Sequence, residues 1–413
     1  MRPYNEGNMD IITKKLNHLR QHFSFSEEEL TDIAKLYAGE AYPPESEGIK
    51  KLREISAKLC EEYNMIFANK KKVPGKSKKQ LLKLLFPTLP AFPGLIRRGL
   101  KLVIGMVDIE DNAFINTCAD FGTNTLVHLA KWAQLGPNFS VDEQQGVPAK
   151  KIEVLHDAWL GGKVKVLAGV TVGADSTVGS GAYVNADLPE ASLALGRPAR
   201  VLRAIEPMEP FHDGDFHPYS DEELATIRVH YGKIHHQIPK RQFNSIYTGH
   251  QFSTLSLGLD FLYLFTQGLC AKLDDPDLDE EGRQAIIDKL FPIHGKNLTI
   301  GKNFFLDLAG TVSLGDNIVI GDNVSIGGLV RIGNDVKIGN GCLLFGSNHP
   351  TSAKRRKVGF NKGLGLSIPV AYVPITIEDG AVLGNDVCIA PKAKIGGQIP
   401  DGSLVDPKGK IIA

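Results

Sequence analysis

The chain has 413 residues, with 47 basic and 47 acidic side chains and no net charge. That length suggests two domains at ~100–200 residues each, and the absence of a cationic surplus argues against nucleic acid as the main partner. Glycine, at 43 residues against 23 prolines, exceeds the usual ~7%, a balance that excludes collagen-like and Pro-rich disordered chains.

In chain order, the opening MRPYNEGNMDIITKK carries no apolar signal-peptide core, which points to a cytoplasmic protein. Cys60, Cys118, Cys270, Cys342 and Cys388 are far apart without a Cys-x-x-Cys pair, so neither a disulfide framework nor a zinc knuckle is expected. Ser26 with Glu29 is a capping box opening a helix through Leu30, Ile33 and Tyr37. Ile49, Leu52, Ile55, Leu59 and Tyr63 mark a second, amphipathic helix. The basic runs Lys70–Lys72 and Lys76–Lys79 read as a solvated linker. Gly75-Lys76-Ser77 lacks the glycine that a phosphate loop needs five residues earlier, where Lys70 stands.

A period of six then begins. Ile109, Ile115, Phe121 and Val127 are followed by a gap from His128 to Ile152, read as an extruded loop. The period resumes at Val154, Leu160, Val166, Val172, Val178 and Val184. Neither 3.6 nor 2.0 residues per repeat fits, so neither a helix nor an alternating strand explains it. The period instead suits a coil with flat faces, each contributing one inward aliphatic side chain, with a small residue beside it and glycine at the corner. Each buried branched side chain is worth roughly 1.5–3 kcal/mol.

The pattern is then written again. The Pro-containing segment Glu206–Pro218 is the expected boundary, giving domains at 1–205 and 206–413. Ser220 with Glu223 repeats the capping box 194 residues after Ser26, and Tyr231 repeats Tyr37. His235-His236 has no third ligand nearby and is read as surface. Leu255–Cys270, the most apolar stretch, carries Asp260 and Gln267 and is too short to span a bilayer comfortably. Leu314, Ile320, Ile326, Ile332, Ile338 and Leu344 form the second coil, each of the first five followed by glycine. After a second loop the period returns at Ile377, Leu383, Ile389 and Ile395.

These residues resemble the maltose and galactoside O-acetyltransferases among the hexapeptide-repeat acyltransferases. The likeness rests on Leu36-Tyr-Ala-Gly-Glu-Ala-Tyr42, the helix ending Glu61-Glu-Tyr-Asn64, and the tail Gly196-Arg-Pro-Ala-Arg-Val-Leu202. It implies a mainly β fold of two left-handed parallel β-helix units in tandem duplication, each preceded by helices. It also implies acetyl transfer from acetyl-CoA to the hydroxyl of a sugar or other small molecule, without metal, in a homo-oligomer, by preference a trimer. A composite site, one half supplying the base and the other holding CoA, would follow from the unequal motifs. Neither membrane nor nucleic acid is an expected partner.

The resemblance assigns roles residue by residue. His349, five residues after Leu344 and followed by Pro350, falls where the family has its general base, and Arg356 where it often has arginine. Asn303-Phe-Phe305-Leu-Asp307 follows the Asn-x-Phe-x-Asn motif, with Asp307 in place of the second Asn, so an amide donor is lost. In the first half, Asn112-Ala-Phe114-Ile-Asn116 keeps Asn116, and His128 is the candidate base, although out of phase. Trp159, Gly161 and Gly162 match the CoA-side motif, with Arg197 and Arg200 as cations for the phosphates. The rival expectations are a catalytically silent scaffold or an N-acetyltransferase. A zinc anhydrase would need three histidines, and the second coil offers only His349 in phase.

Overall fold

The two six-residue periods fold into coils of short parallel strands in which each strand passes to the next face rather than back beside its neighbour. The structure is a computed structural model that describes residues 7–69, 77–91, 93–143, 150–207, 219–232, 238, 240–248, 250, 252–253, 257–353, 356 and 369–412. The basic run up to Lys76, the His235-His236 pair and most of the Glu206–Pro218 segment lie outside the described residues. The chain divides into two compact units, Met1–Pro207 and Met208–Ala413.

In the first unit, the helices Glu27–Ala38 and Glu47–Asn69 stand where the capping box and the amphipathic pattern place them. Ile49, Leu52, Leu59 and Tyr63 are buried. Ser77 is an N-cap, forming a capping box with Gln80 at the head of Lys78–Leu85. The coil has three parallel sheets. Val107–Ile109, Val127–Leu129, Ile152–Val154 and Thr171–Val172 form one face. Phe114–Ile115, Gln134–Leu135, Trp159–Leu160, Thr177–Val178 and Ser192–Leu195 form the next, closed by the antiparallel strand Arg200–Ala204. Ser140–Asp142, Lys165–Leu167 and Tyr183–Val184 form the third. Val154 lies over Val172, Leu160 by Val178 and Val166 by Val184, so one full turn takes 18 residues, three hexapeptides.

The expected loop from His128 to Ile152 is corrected here. Leu129, Leu135 and Val141 continue the coil, paired with Ile109, Ile115 and the Asp120 bridge. The phase slips because Ile109 pairs with Leu129, 20 residues on rather than 18, so two extra residues enter the turn before Val127. The count of six lands on Val127, buried but two residues short of the rung at Leu129. The insertion itself falls between Asp142 and Ile152.

In the second unit the faces are equally regular. Leu298–Ile300, Ile318–Ile320, Lys337–Ile338, Val382–Leu383 and Gln398–Ile399 form one sheet. Phe305–Leu306, Ser325–Gly328, Leu343–Asn348, Cys388–Ile389 and Leu404–Val405 form the second. Val312–Leu314, Val330–Ile332, Ile375–Ile377 and Lys394–Ile395 form the third. The apolar segment near 255–270 is the helix Leu257–Lys272, whose Leu262 and Leu269 are buried. Its Thr266 accepts from the Ala309 N–H at 2.9 Å and Gln267 donates to the Leu306 carbonyl at 2.7 Å, which satisfies backbone at the start of the coil.

Each prelude sets a tyrosine ring against a glycine of its coil. The Tyr37 hydroxyl donates to the Ile104 carbonyl, next to that glycine, whereas the Tyr231 hydroxyl donates to the carbonyl of Lys289 in the helix Glu280–Leu290, both at 2.7 Å. A Cβ on Gly105 would lie 2.7 Å from the Tyr37 ring, and one on Gly310 would lie 2.7 Å from the Tyr231 ring.

The corners work differently from expectation. Gly315, Gly321, Gly333, Gly339 and Gly384 are not the left-handed residues. Those come two positions later, as Asn317, Asn323, Asp335, Gly341 and Asp386. The glycines are required by the next turn of the coil, whose Asx side chain crosses beneath. A Cβ on Gly315 would lie 2.5 Å from Asn334 Oδ1, and one on Gly321 would lie 2.6 Å from Asn340 Oδ1. Those oxygens accept from the turn above: Asp316 N to Asn334 at 2.9 Å, Asp322 N to Asn340 at 2.8 Å, and Asn334 N to Asp379 at 2.7 Å.

Candidate functional site

The strand Leu343–Asn348 overruns its own rung. Leu343 and Leu344 pair with Ser325–Ile326 on one side and Cys388–Ile389 on the other. Ser347 and Asn348 then leave the coil and pair antiparallel with Tyr372 and Ala371. Phe252 extends this arm by pairing with Val370. His349 follows directly, half-buried, ahead of the buried Pro350. The pattern breaks here because the chain must turn away from the coil, so the imidazole sits on an arm rather than in a rung.

Arg356 is buried, and its Nη1 donates to the Pro350 carbonyl at 3.1 Å and to that of Thr351. Its own N–H bonds the Ser352 carbonyl at 3.1 Å. The guanidinium therefore braces the turn after His349.

Asp307 lies on the same face. Its N–H donates to the Ile326 carbonyl at 2.9 Å, which sets it beside Gly327, the partner of Phe345. A Cβ on Gly327 would enter the Phe345 ring and lie 3.4 Å from the Asp307 Cβ, so the glycine makes room for that ring beside Asp307. The Tyr372 hydroxyl donates to Asp307 Oδ2 at 2.8 Å. Desolvation holds the Asp307 carboxyl above its ordinary range, and the Tyr372 hydrogen bond opposes that shift. Burial, then the Asp307 charge, drives the Tyr372 phenol well above its own.

In the first unit, Asn116 Oδ1 accepts from Thr117 N–H at 2.8 Å and from Arg97 Nη1 at 3.3 Å. Trp159, 8% exposed, shares its sheet, with Gln134 between its strand and that of Phe114. Gly161 and Gly162 pass close to the next turn: a Cβ on Gly161 would lie 2.6 Å from the Ser180 nitrogen, and Gly162 N–H donates to Ser180 Oγ at 3.2 Å. Arg197 Nε donates to the Gly181 carbonyl at 2.6 Å. Arg200 and Arg203 are exposed on the closing strand, at the other end of the sheet from Asn116.

His128 does not stand before a loop. It is in the middle of Val127–Leu129, between Asp108 and Glu153, with Nε2 3.1 Å from Glu110 Oε1. The positions five past the rungs Leu135 and Leu160 are Ser140 and Lys165, so the first unit has no histidine in the place that His349 takes. Among the described residues, no cluster of His, Cys, Asp or Glu could hold a metal, and no helix is long and apolar enough to cross a membrane.

No protein-family profile matches the chain. It is 33% identical over 123 residues to a Mycobacterium tuberculosis protein described as a probable acetyltransferase, covering 28% of this chain and 39% of that one. It is 26% identical over 206 residues to the galactoside O-acetyltransferase of Lactococcus lactis, covering 46% of this chain and 93% of that one. Over part of its length the chain is thus similar to proteins described as acetyltransferases. It spans only about two fifths of the mycobacterial protein's length. Among solved structures, a Vibrio cholerae hexapeptide-repeat acetyltransferase complexed with acetyl coenzyme A matches at 25% identity and a TM-score of 0.38, covering 42% of this chain and 98% of that one.

Of the residues expected to form the site, His349 and Arg356 lie at the end of this arm and Asp307 on the same face, while Tyr372 and Phe345, which stand beside Asp307, had no place in the sequence expectation. Tyr372 lies after the loop, outside any six-residue count, where nothing in the sequence ties it to Asp307, 65 positions earlier. Its only signal was an aromatic residue at the point where the period resumes.

Proposed function

We propose that the chain is an acetyl-CoA-dependent O-acetyltransferase acting on a hydroxyl of a sugar or other small molecule. The observation that carries this reading is His349 at the end of the arm, with Arg356 bracing the turn behind it. The imidazole takes the acceptor's hydroxyl proton as the oxygen attacks the thioester carbonyl. The new C–O bond forms, a tetrahedral oxyanion develops, and the C–S bond breaks. The proton returns from the imidazolium to the departing CoA sulfur. Both substrates are held together, so transfer is direct and no acyl-enzyme forms. Asp307 orients the acceptor, and Arg356 acts as a positioning residue for the His349 turn.

Within the first unit, the Trp159 motif is the candidate CoA side, with Arg197, Arg200 and the exposed Arg203 as cations for the phosphates. Asn116, the second Asn of its motif, is the first unit's candidate for orienting acceptor and base. The two units are read as a tandem duplication of one left-handed coil with its prelude. The protein is read as cytoplasmic and as a homotrimer, for which light scattering should return three times the 44.9 kDa chain mass.

The decisive experiment is thiol release from acetyl-CoA across a panel of sugars and small alcohols. His349→Ala should lower turnover by at least ~100-fold, the scale of a lost general base, with acetyl-CoA still bound by calorimetry. Unchanged turnover in that variant would overturn the assignment. A second reading, a silent scaffold, is favoured by the missing histidine in the first unit and by the aspartate at 307; no calorimetric binding of acetyl-CoA would support it.

A further inference from the structure

We propose that Tyr372 is a positioning residue that fixes Asp307 as an acceptor-only group, so that the acceptor substrate must present a hydrogen-bond donor, a hydroxyl or an ammonium, beside its reacting hydroxyl. The inference rests on the reading of His349 as base.

Tyr372 is 4% exposed and its ring packs edge-on against Phe252, with centroids 5.1 Å apart, so the phenol cannot swing away. Its backbone is paired with Ser347, two residues before His349. Its hydroxyl reaches Asp307 Oδ2 at 2.8 Å. One side chain thus joins the arm that carries the base to the carboxyl group at the start of the coil.

Among the described residues, Oδ2 is the hydrogen-bonded oxygen of Asp307. A carboxylate held by one oxygen offers only lone pairs at the other. An asparagine there would offer an N–H as well, so the aspartate narrows the substrates to those that donate. Besides the two partners themselves, the titratable group whose charge bears on the pair is Tyr247, from the helix Lys240–Thr248. Desolvation pushes the Asp307 carboxyl up while Tyr372 pulls it down, so removing the hydroxyl should move its titration to higher pH.

Tyr372→Phe keeps the ring and removes only the donor. We expect kcat/KM for the acceptor to fall roughly tenfold, the scale of a hydrogen bond to a charged group. The KM for acetyl-CoA should not change, and the acid limb of the pH profile should move upward. Asp307→Asn should remove the Asp307 component of that limb and leave the component due to protonation of the His349 base, and adding Tyr372→Phe to it should cost nothing further. Acceptors that carry the neighbouring donor should lose their advantage over those stripped of it in both variants. A Tyr372→Phe enzyme with an unmoved acid limb, or losses that simply multiply in the double variant, would overturn the proposal. Infrared titration of the carboxyl band that vanishes in Asp307→Asn gives a readout without turnover. An unchanged titration in Tyr372→Phe also refutes the pairing, whereas absent turnover in the unmutated protein with a shifted band refutes only the acetyltransferase reading.

Discussion

Lys15 is the most deeply buried lysine among the described residues, at 2% exposure, and it shows how the first prelude holds to its coil. Its Nζ lies 2.6 Å from Asp108 Oδ2 and 5.5 Å from the centre of the Tyr37 ring, while Thr88 donates to the other oxygen of Asp108 at 2.7 Å. Burial holds the ammonium below its ordinary pKa, and Asp108 opposes that shift. Removing the carboxylate leaves a buried charge without its counter-ion, which costs about 3 kcal/mol or more. Asp108→Asn should therefore lower the denaturation midpoint clearly. Lys15→Met, which fills the same volume without charge, should cost much less, and adding it to Asp108→Asn should restore most of the loss. A double variant as unstable as Asp108→Asn alone would show that packing, not charge, sets the effect.

At the scale of the element, the corner glycines separate two physical demands that look alike in the sequence. Gly315 is barred from a side chain by Asn334, which crosses beneath it. Gly402 has φ of 68° and open space around its Cβ direction. Gly315→Ala should destabilise by about 2 kcal/mol, the scale of overpacking against a fixed backbone. Gly402→Asn should be nearly neutral, since Asn317 and Asn323 hold the same left-handed conformation at equivalent corners. Equal losses in thermal melts would refute the distinction. This is also where sequence and structure part. The aliphatic rungs were legible because each inward side chain obeys a local count of six. The Asx ladder was not, because its partners are 18 residues apart, or 45 where the loop intervenes at Asn334 and Asp379. Nor was the extra turn of the first coil legible, because two residues inserted before Val127 moved the rung to Leu129. His349 was legible because it keeps a fixed count from Leu344. Tyr372 was not, because the loop erases the count.

For the whole molecule, the question is whether both units perform the same chemistry, and the histidines decide it. The units are alike in prelude, capping box and tyrosine dock. They differ in where the loop leaves the coil. In the second unit it leaves from the second face, between Asn348 and Pro369, so the residue after the strand is carried onto an arm. In the first it leaves after the third face, beyond Asp142, and His128 remains in a strand whose backbone is paired on both sides. An imidazole carried by a strand whose backbone lies between Asp108 and Glu153, with Nε2 3.1 Å from Glu110, can steady a sheet but has no arm like that of His349. His128→Ala should therefore leave thiol release from acetyl-CoA within about twofold of the unmutated enzyme. Its cost to stability should be below ~1 kcal/mol, that of an exposed ion pair. The double variant with His349→Ala should be no slower than His349→Ala alone. A loss in His128→Ala comparable to that in His349→Ala, at unchanged melting temperature, would mean that the first unit also moves a proton.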